Sequence, residues 1–145
     1  MKRIEVSHLY LVNECIGRPW VAGGRGPHEF DCWGLFLHVQ RVCFGRELPE
    51  IPVDATNLRA VLKGFQSHPE RQRWAAVAHP HDRVDGDAVL MRQSRYPVHV
   101  GVWLGVDGGG VLHCMQGAGV VFQRIENLAL HGWQVEGIYR FKEVQ

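Results

Sequence analysis

The hydrophobic rhythm of the chain changes near its middle. In the first half apolar residues recur every three or four positions, the period of a helix with one buried face. Leu9, Val12 and Ile16 mark a first helix, which Ser7 can cap and Gly17 ends. Leu35, Phe36, Val39, Val42 and Cys43 mark a second, from about Cys32 to Phe44, capped by Asp31 and stopped by Gly45. Leu58, Val61, Leu62 and Phe65 predict a third helix after Thr56, closed by Pro69. Residues 18–30 form a loop punctuated by Gly23-Gly24 and Gly26-Pro27. In the second half the runs are short and β-rich, at 88–91, 98–104, 111–115, 120–124 and 137–141, separated by Gly, Asp or Pro. Val106-Asp107-Gly108-Gly109-Gly110 reads as a hairpin turn. Helices first and strands afterwards predict a single α+β domain over 1–145, with the N-terminal helices packed on a C-terminal antiparallel sheet.

Composition narrows the function more than the fold. The 145 residues are 46% hydrophobic and 21% charged, which suits one domain with a sizeable core. A formal net charge of +1, with no long basic run, argues against nucleic acid as a partner. Met1-Lys2-Arg3 resembles the start of a signal peptide, but Glu5, Ser7, His8, Asn13 and Glu14 interrupt the apolar segment that should follow. The expectation is therefore no secretory signal, no membrane insertion and synthesis in the cytoplasm. Cys15, Cys32, Cys43 and Cys114 include no C-x-x-C pair and do not make a disulfide scaffold. Cys15 and Cys43 fall on apolar helix faces and Cys114 on an apolar strand face, so all three read as small core residues.

Cys32 is different. It falls in the first turn of the second helix, directly after the Gly-rich loop, where unpaired N–H groups and partial positive charge favour thiolate over thiol. Downstream, His99 and His113 each sit on a predicted strand. Strand alternation puts His99, Gly101 and Trp103 on one face, and Val111, His113 and Met115 on one face of the next strand. A hairpin brings the two histidines together, and the helix of Cys32 is expected to pack across that face and present the thiol to His99. The chemistry is then nucleophilic catalysis, with Cys32 attacking, His99 as base and acid, His113 orienting His99, and the Cys32 N–H in an oxyanion hole. No cofactor is required. Cys32, His99 and His113 are chemically good zinc ligands, but no metal-ligand spacing supports a metal site. Asp31 reads as a helix cap rather than an acid catalyst. Trp20, Trp33 and Trp103 either line a cleft or fill the core. Flanking the thiol in the sequence, Trp20, Asp31 and Trp33 are the candidate substrate-binding residues.

Several segments resemble the NlpC/P60 cysteine peptidases, in family order from about Cys15 to Phe122: Pro19-Trp20-Val21-Ala22-Gly23-Gly24, Phe30-Asp31-Cys32-Trp33-Gly34-Leu35, Gly86-Asp87-Ala88-Val89-Leu90, His99-Val100-Gly101-Val102-Trp103-Leu104-Gly105 and Leu112-His113. The resemblance implies a compact papain-like fold, a Cys32-His99-His113 triad and cleavage of peptidoglycan stem peptides, usually between γ-D-glutamate and diaminopimelate or lysine. Trp20 and Ala22 stand where many members carry tyrosines, and Trp33 replaces the small residue that commonly follows the nucleophile. Trp33, with no signal peptide or wall-binding repeat, resembles the short members encoded in phage and prophage tail modules, which implies tail proteins as partners and action at the cell wall. Two rivals stay open: an amidase or acyltransferase on the same scaffold, and a tail-assembly structural protein with a vestigial site.

Overall fold

The computed structural model describes residues 7–48, 74–93 and 96–142. The helix expected after Thr56 lies outside the described residues. Helix α1 is His8–Cys15 and α2 is Cys32–Phe44. The strands are β1 Trp74–Ala76, β2 Ala88–Gln93, β3 Tyr96–Leu104, β4 Gly110–Met115, β5 Gly119–Gln123 and β6 Gln134–Phe141, with short 3-10 turns at Pro80–Asp82, Val106–Gly108 and Ile125–His131. The strands form one antiparallel sheet in the order β1-β6-β2-β3-β4-β5. This is the α+β architecture that the change of rhythm predicts.

Local chemistry sets the element ends. Ser7 Oγ accepts from the Tyr10 N–H at 3.4 Å, and Asp31 caps α2. Gly45 ends α2 in the left-handed conformation at φ 66°, where a side chain is disfavoured. The turn between β3 and β4 falls at Val106–Gly108, as predicted. Asp87 precedes β2 and is buried; it accepts from the Val84 N–H at 2.9 Å and from Arg140 Nε and Nη2 at 3.0 and 2.9 Å. That carboxylate ties the start of β2 to β6.

The sheet has two buried faces with different contents. Leu11, Val12, Leu35, Phe36 and Val39 from the helices share one core with Val100, Val102, Leu112 and Cys114 from the strands. Val89, Met91 and Val111, on the opposite face, pack with Leu128 and Trp133. His99 pairs with Met91 in register, and both histidine rings lie against Trp133. The histidines therefore occupy the second face. The expectation that α2 packs across the face of His99 is corrected: α2 covers the other one. The reason is burial. Val100, Val102, Leu112 and Cys114 form the uniformly apolar row, and the apolar stripe of α2 is removed from water most completely against it.

Candidate active site

The loop before α2 is locked to the first helical turn. Asp31, buried at 3% exposure, accepts from the Gly34 N–H through Oδ1 at 2.7 Å and from the Gly23 N–H through Oδ2 at 3.0 Å. Arg25 Nη1 donates to the same Oδ1 at 2.8 Å, so the buried carboxylate is paired and hydrogen-bonded. Gly34 has to be glycine, because the Gly24 carbonyl oxygen occupies the place a Cβ would take. From the sheet side, Cys114 Sγ donates to the Phe30 carbonyl at 3.3 Å. These contacts fix where Cys32, the first residue of α2, sits.

The thiol reaches the sheet at an opening in the strand pairing. β3 and β4 pair from Val102↔Leu112 to Leu104↔Gly110. Val100 and His99 lie beyond the end of that ladder, and the Val100 N–H faces the Cys32 thiol. Cys32 thus approaches from the helix side, next to the backbone of the residue that follows His99. The residue is half-buried but its thiol is enclosed. Burial pushes the thiol up to about 12; the Asp31 carboxylate raises it further, while the Val100 and Trp33 N–H groups and Arg25 pull it down. The expected lowering by the helix terminus is therefore outweighed. Loss of water around the anion exceeds what the nearby donors return, and Cys32 rests as a neutral thiol.

His99 Nε2 and His113 Nδ1 are 2.8 Å apart, a buried hydrogen bond that realises the predicted neighbourhood of the two residues. His113 Nε2 lies 2.8 Å from Gln123 Oε1 on β5. The Trp133 indole stacks on His99, with ring centroids 4.4 Å apart and planes at 21°, and meets His113 edge-on at 5.8 Å. Burial holds His99 well below the usual imidazole range, with His113 adding to the effect. Burial likewise lowers His113 to about 4, against the opposing pull of Gln123 and with a smaller lowering from His131. Both rings are neutral at neutral pH.

The candidate substrate-binding residues separate. Trp33 is buried in the helix-side core and stacks on Phe36 with centroids 5.1 Å apart. Asp31 has both oxygens engaged within the protein. Trp20 is half-buried and bridges to Phe30 at the edge of the loop. Trp103 lies on the histidine face, with the Arg83 guanidinium 5.3 Å above its ring. Gln123 and Trp133 were missed by sequence reasoning. Gln123 carries a signal in retrospect: His113 pairs with Val121 and Val111 with Gln123, so alternation brings a polar residue onto the histidine face. Trp133 follows a 3-10 turn and carries no periodic signal. Among the described residues no group of three His, Cys, Asp or Glu is gathered as a metal ion would require.

A cysteine at a capped helix N-terminus, set against a sheet that carries a hydrogen-bonded histidine pair, defines a papain-like fold. The model of the NlpC/P60 family matches residues 17–137, and the chain belongs to that family of cysteine peptidases. Solved structures agree on the fold. NlpC1 of Trichomonas vaginalis superposes with a TM-score of 0.63 at 18% identity, over 91% of this chain and 42% of that one. NlpC2 of the same organism gives 0.64 at 18% identity, over 91% and 45%. This chain thus spans less than half the length of either protein. The NlpC/p60 domain of the peptidoglycan hydrolase SagA gives 0.54 at 21% identity, over 92% of this chain and 95% of that domain. No curated protein sequence matches.

Proposed function

We propose that the protein is a cysteine endopeptidase that hydrolyses peptidoglycan stem peptides, at the bond between γ-D-glutamate and a diamino acid, as part of a phage or prophage tail. Membership of the NlpC/P60 family supports the reaction class. The observation that carries the assignment to particular residues is the 2.8 Å bond between His99 and His113, on the strand whose Val100 N–H meets the Cys32 thiol. The tail context rests on the resemblance of Trp33 and its surroundings to short tail-encoded members.

The mechanism starts from neutral partners. His99 takes the thiol proton as the sulfur attacks the scissile carbonyl, so negative charge passes to the substrate oxygen and is not stored on sulfur. The Cys32 N–H at the helix terminus contributes to the oxyanion site. The resulting imidazolium protonates the leaving amine, giving a thioester on Cys32. His99 then activates water, which releases the acyl fragment and restores the thiol. His113 keeps the His99 ring in place throughout. No cofactor takes part.

The test is a digest of purified sacculi in reducing buffer by wild type and Cys32→Ala, with products identified by mass spectrometry. New stem-peptide fragments from wild type alone, ending at γ-D-glutamate, support the reading. Fragments carrying another nucleophile in place of water point to an acyltransferase. No fragments from several wall types, with tails of the Cys32→Ala phage assembling and infecting normally, favour a structural tail protein.

A further inference from the structure

His99 and His113 are both neutral, so one proton sits between Nε2 of the first and Nδ1 of the second, and which ring owns it decides whether His99 can act as a base. The two rings alone do not settle this, since either arrangement satisfies the 2.8 Å bond. The third member of the chain does, through the orientation of its amide. Gln123 Oε1 is a carbonyl oxygen and can only accept, and it lies 2.8 Å from His113 Nε2. We infer that Gln123 is a positioning residue that sets the proton order of the histidine pair, an inference that rests on the peptidase reading for its consequence in catalysis.

The order follows step by step. With Gln123 Oε1 accepting, His113 carries its proton on Nε2. A neutral imidazole holds one proton, so His113 Nδ1 is a lone pair. His99 Nε2 must then be the donor across the pair. His99 Nδ1 is left as a lone pair, the only form in which that ring can take the Cys32 proton. When His99 becomes imidazolium, its Nε2–H still donates to His113 Nδ1, and the Gln123 carbonyl polarises His113 in the same sense. No proton moves to His113 or Gln123. The reversed order would leave His99 protonated on Nδ1 and unable to act as a base.

Geometry makes the arrangement specific. His113 is fully buried and has neighbours on both ring nitrogens, His99 on one and Gln123 on the other. The Trp133 ring lies against both imidazoles and shields the bond between them from water. Gln123 is the last residue of β5 and shares a face with Val121, which pairs with His113. Its amide therefore reaches His113 diagonally from the neighbouring strand, much as His113 reaches His99.

The experiment has one arm without variants and one with them. Nitrogen-15 spectra of the histidine-labelled full chain at neutral pH are expected to show His113 protonated on Nε2 and His99 protonated on Nε2. A His113 proton on Nδ1 overturns the inference, whatever the activity. In the second arm, Gln123→Met removes the acceptor at similar volume. It is expected to lower kcat roughly 10- to 100-fold, as for loss of a group that orients a histidine, with KM unchanged and His113 in mixed tautomers. Gln123→Glu keeps an acceptor; it is expected to retain the tautomers and move the acid limb of the rate profile to higher pH. Wild-type tautomers and kcat in Gln123→Met overturn the inference. If wild type itself cleaves no stem peptide, the peptidase reading fails, while the spectra still decide the proton order.

Discussion

His113 reaches His99 across Gly101. Extending the register of Val102↔Leu112 sets Gly101 opposite His113 and His99 opposite Met115, so the histidines are a diagonal pair. Gly101, the next residue after His99 on that face of β3, directly faces His113. A Cβ on Gly101 would lie 2.5 Å from Val111 Cγ1, 3.0 Å from the Leu112 carbonyl oxygen and 3.1 Å from His113 Cβ. Gly101→Ala is therefore expected to push the strands apart and lengthen the His99–His113 bond. A cost of about 1–3 kcal/mol, usual for overpacking, should appear in urea denaturation, together with a loss of hydrolysis larger than the loss of folded protein.

The thiol should behave as a neutral group at rest. With Cys32 pushed up to about 12, its alkylation by iodoacetamide, taken as the difference between wild type and Cys32→Ser, should climb steadily from neutral to alkaline pH. A preformed thiolate–imidazolium pair would instead give a rate that is already level near neutral pH.

Asp31 raises the Cys32 thiol while capping its helix. Asp31→Asn keeps a carbonyl oxygen for the Gly34 N–H but removes the charge, so neutral-pH alkylation of Cys32 should quicken. Asp31→Ala loses the cap and the ties to Gly23 and Arg25 as well. It should lower stability by about 1–3 kcal/mol, read as a fall in the midpoint of thermal unfolding.

The histidine pair makes the fold acid-sensitive. The folded-state value of His113 is about 4, below the usual imidazole value of 6.5. Below that higher value the unfolded chain binds a proton that the folded chain refuses. Stability is therefore full above it and falls as pH drops through the window, levelling below the folded value. The depression corresponds to roughly 3 kcal/mol for His113, and His99 acts in the same direction. Urea midpoints between neutral pH and pH ~4 should fall in wild type and fall less in His113→Gln.

Helices α1 and α2, their caps and the histidine pairing were legible because each rests on local spacing. Ser7, Asp31 and Gly45 act within one turn of chain, and the pairing of His99 with His113 needs only one hairpin. The face that α2 covers was not legible. Both sides of β3 and β4 hold apolar residues, and the choice depends on which side is more completely apolar across several strands. Gln123 required the register of a third strand. β1, three residues at the sheet edge, is too short to show alternation. Trp33 follows Cys32 in sequence, yet helical rotation turns it into the core. The raised thiol is likewise a matter of enclosure, which depends on how the loop and sheet close around Cys32.

The proposed mechanism requires a covalent bond between the substrate's acyl group and Cys32. Wild type mixed with a synthetic stem peptide containing the γ-D-glutamyl–diamino acid bond, quenched in acid within a turnover and measured by intact-protein mass spectrometry, should carry the mass of the acyl fragment. Peptide mapping should place that mass on Cys32, and Cys32→Ala should carry no adduct and release no product. Product released by Cys32→Ala, or an adduct mapped to another residue, would contradict it.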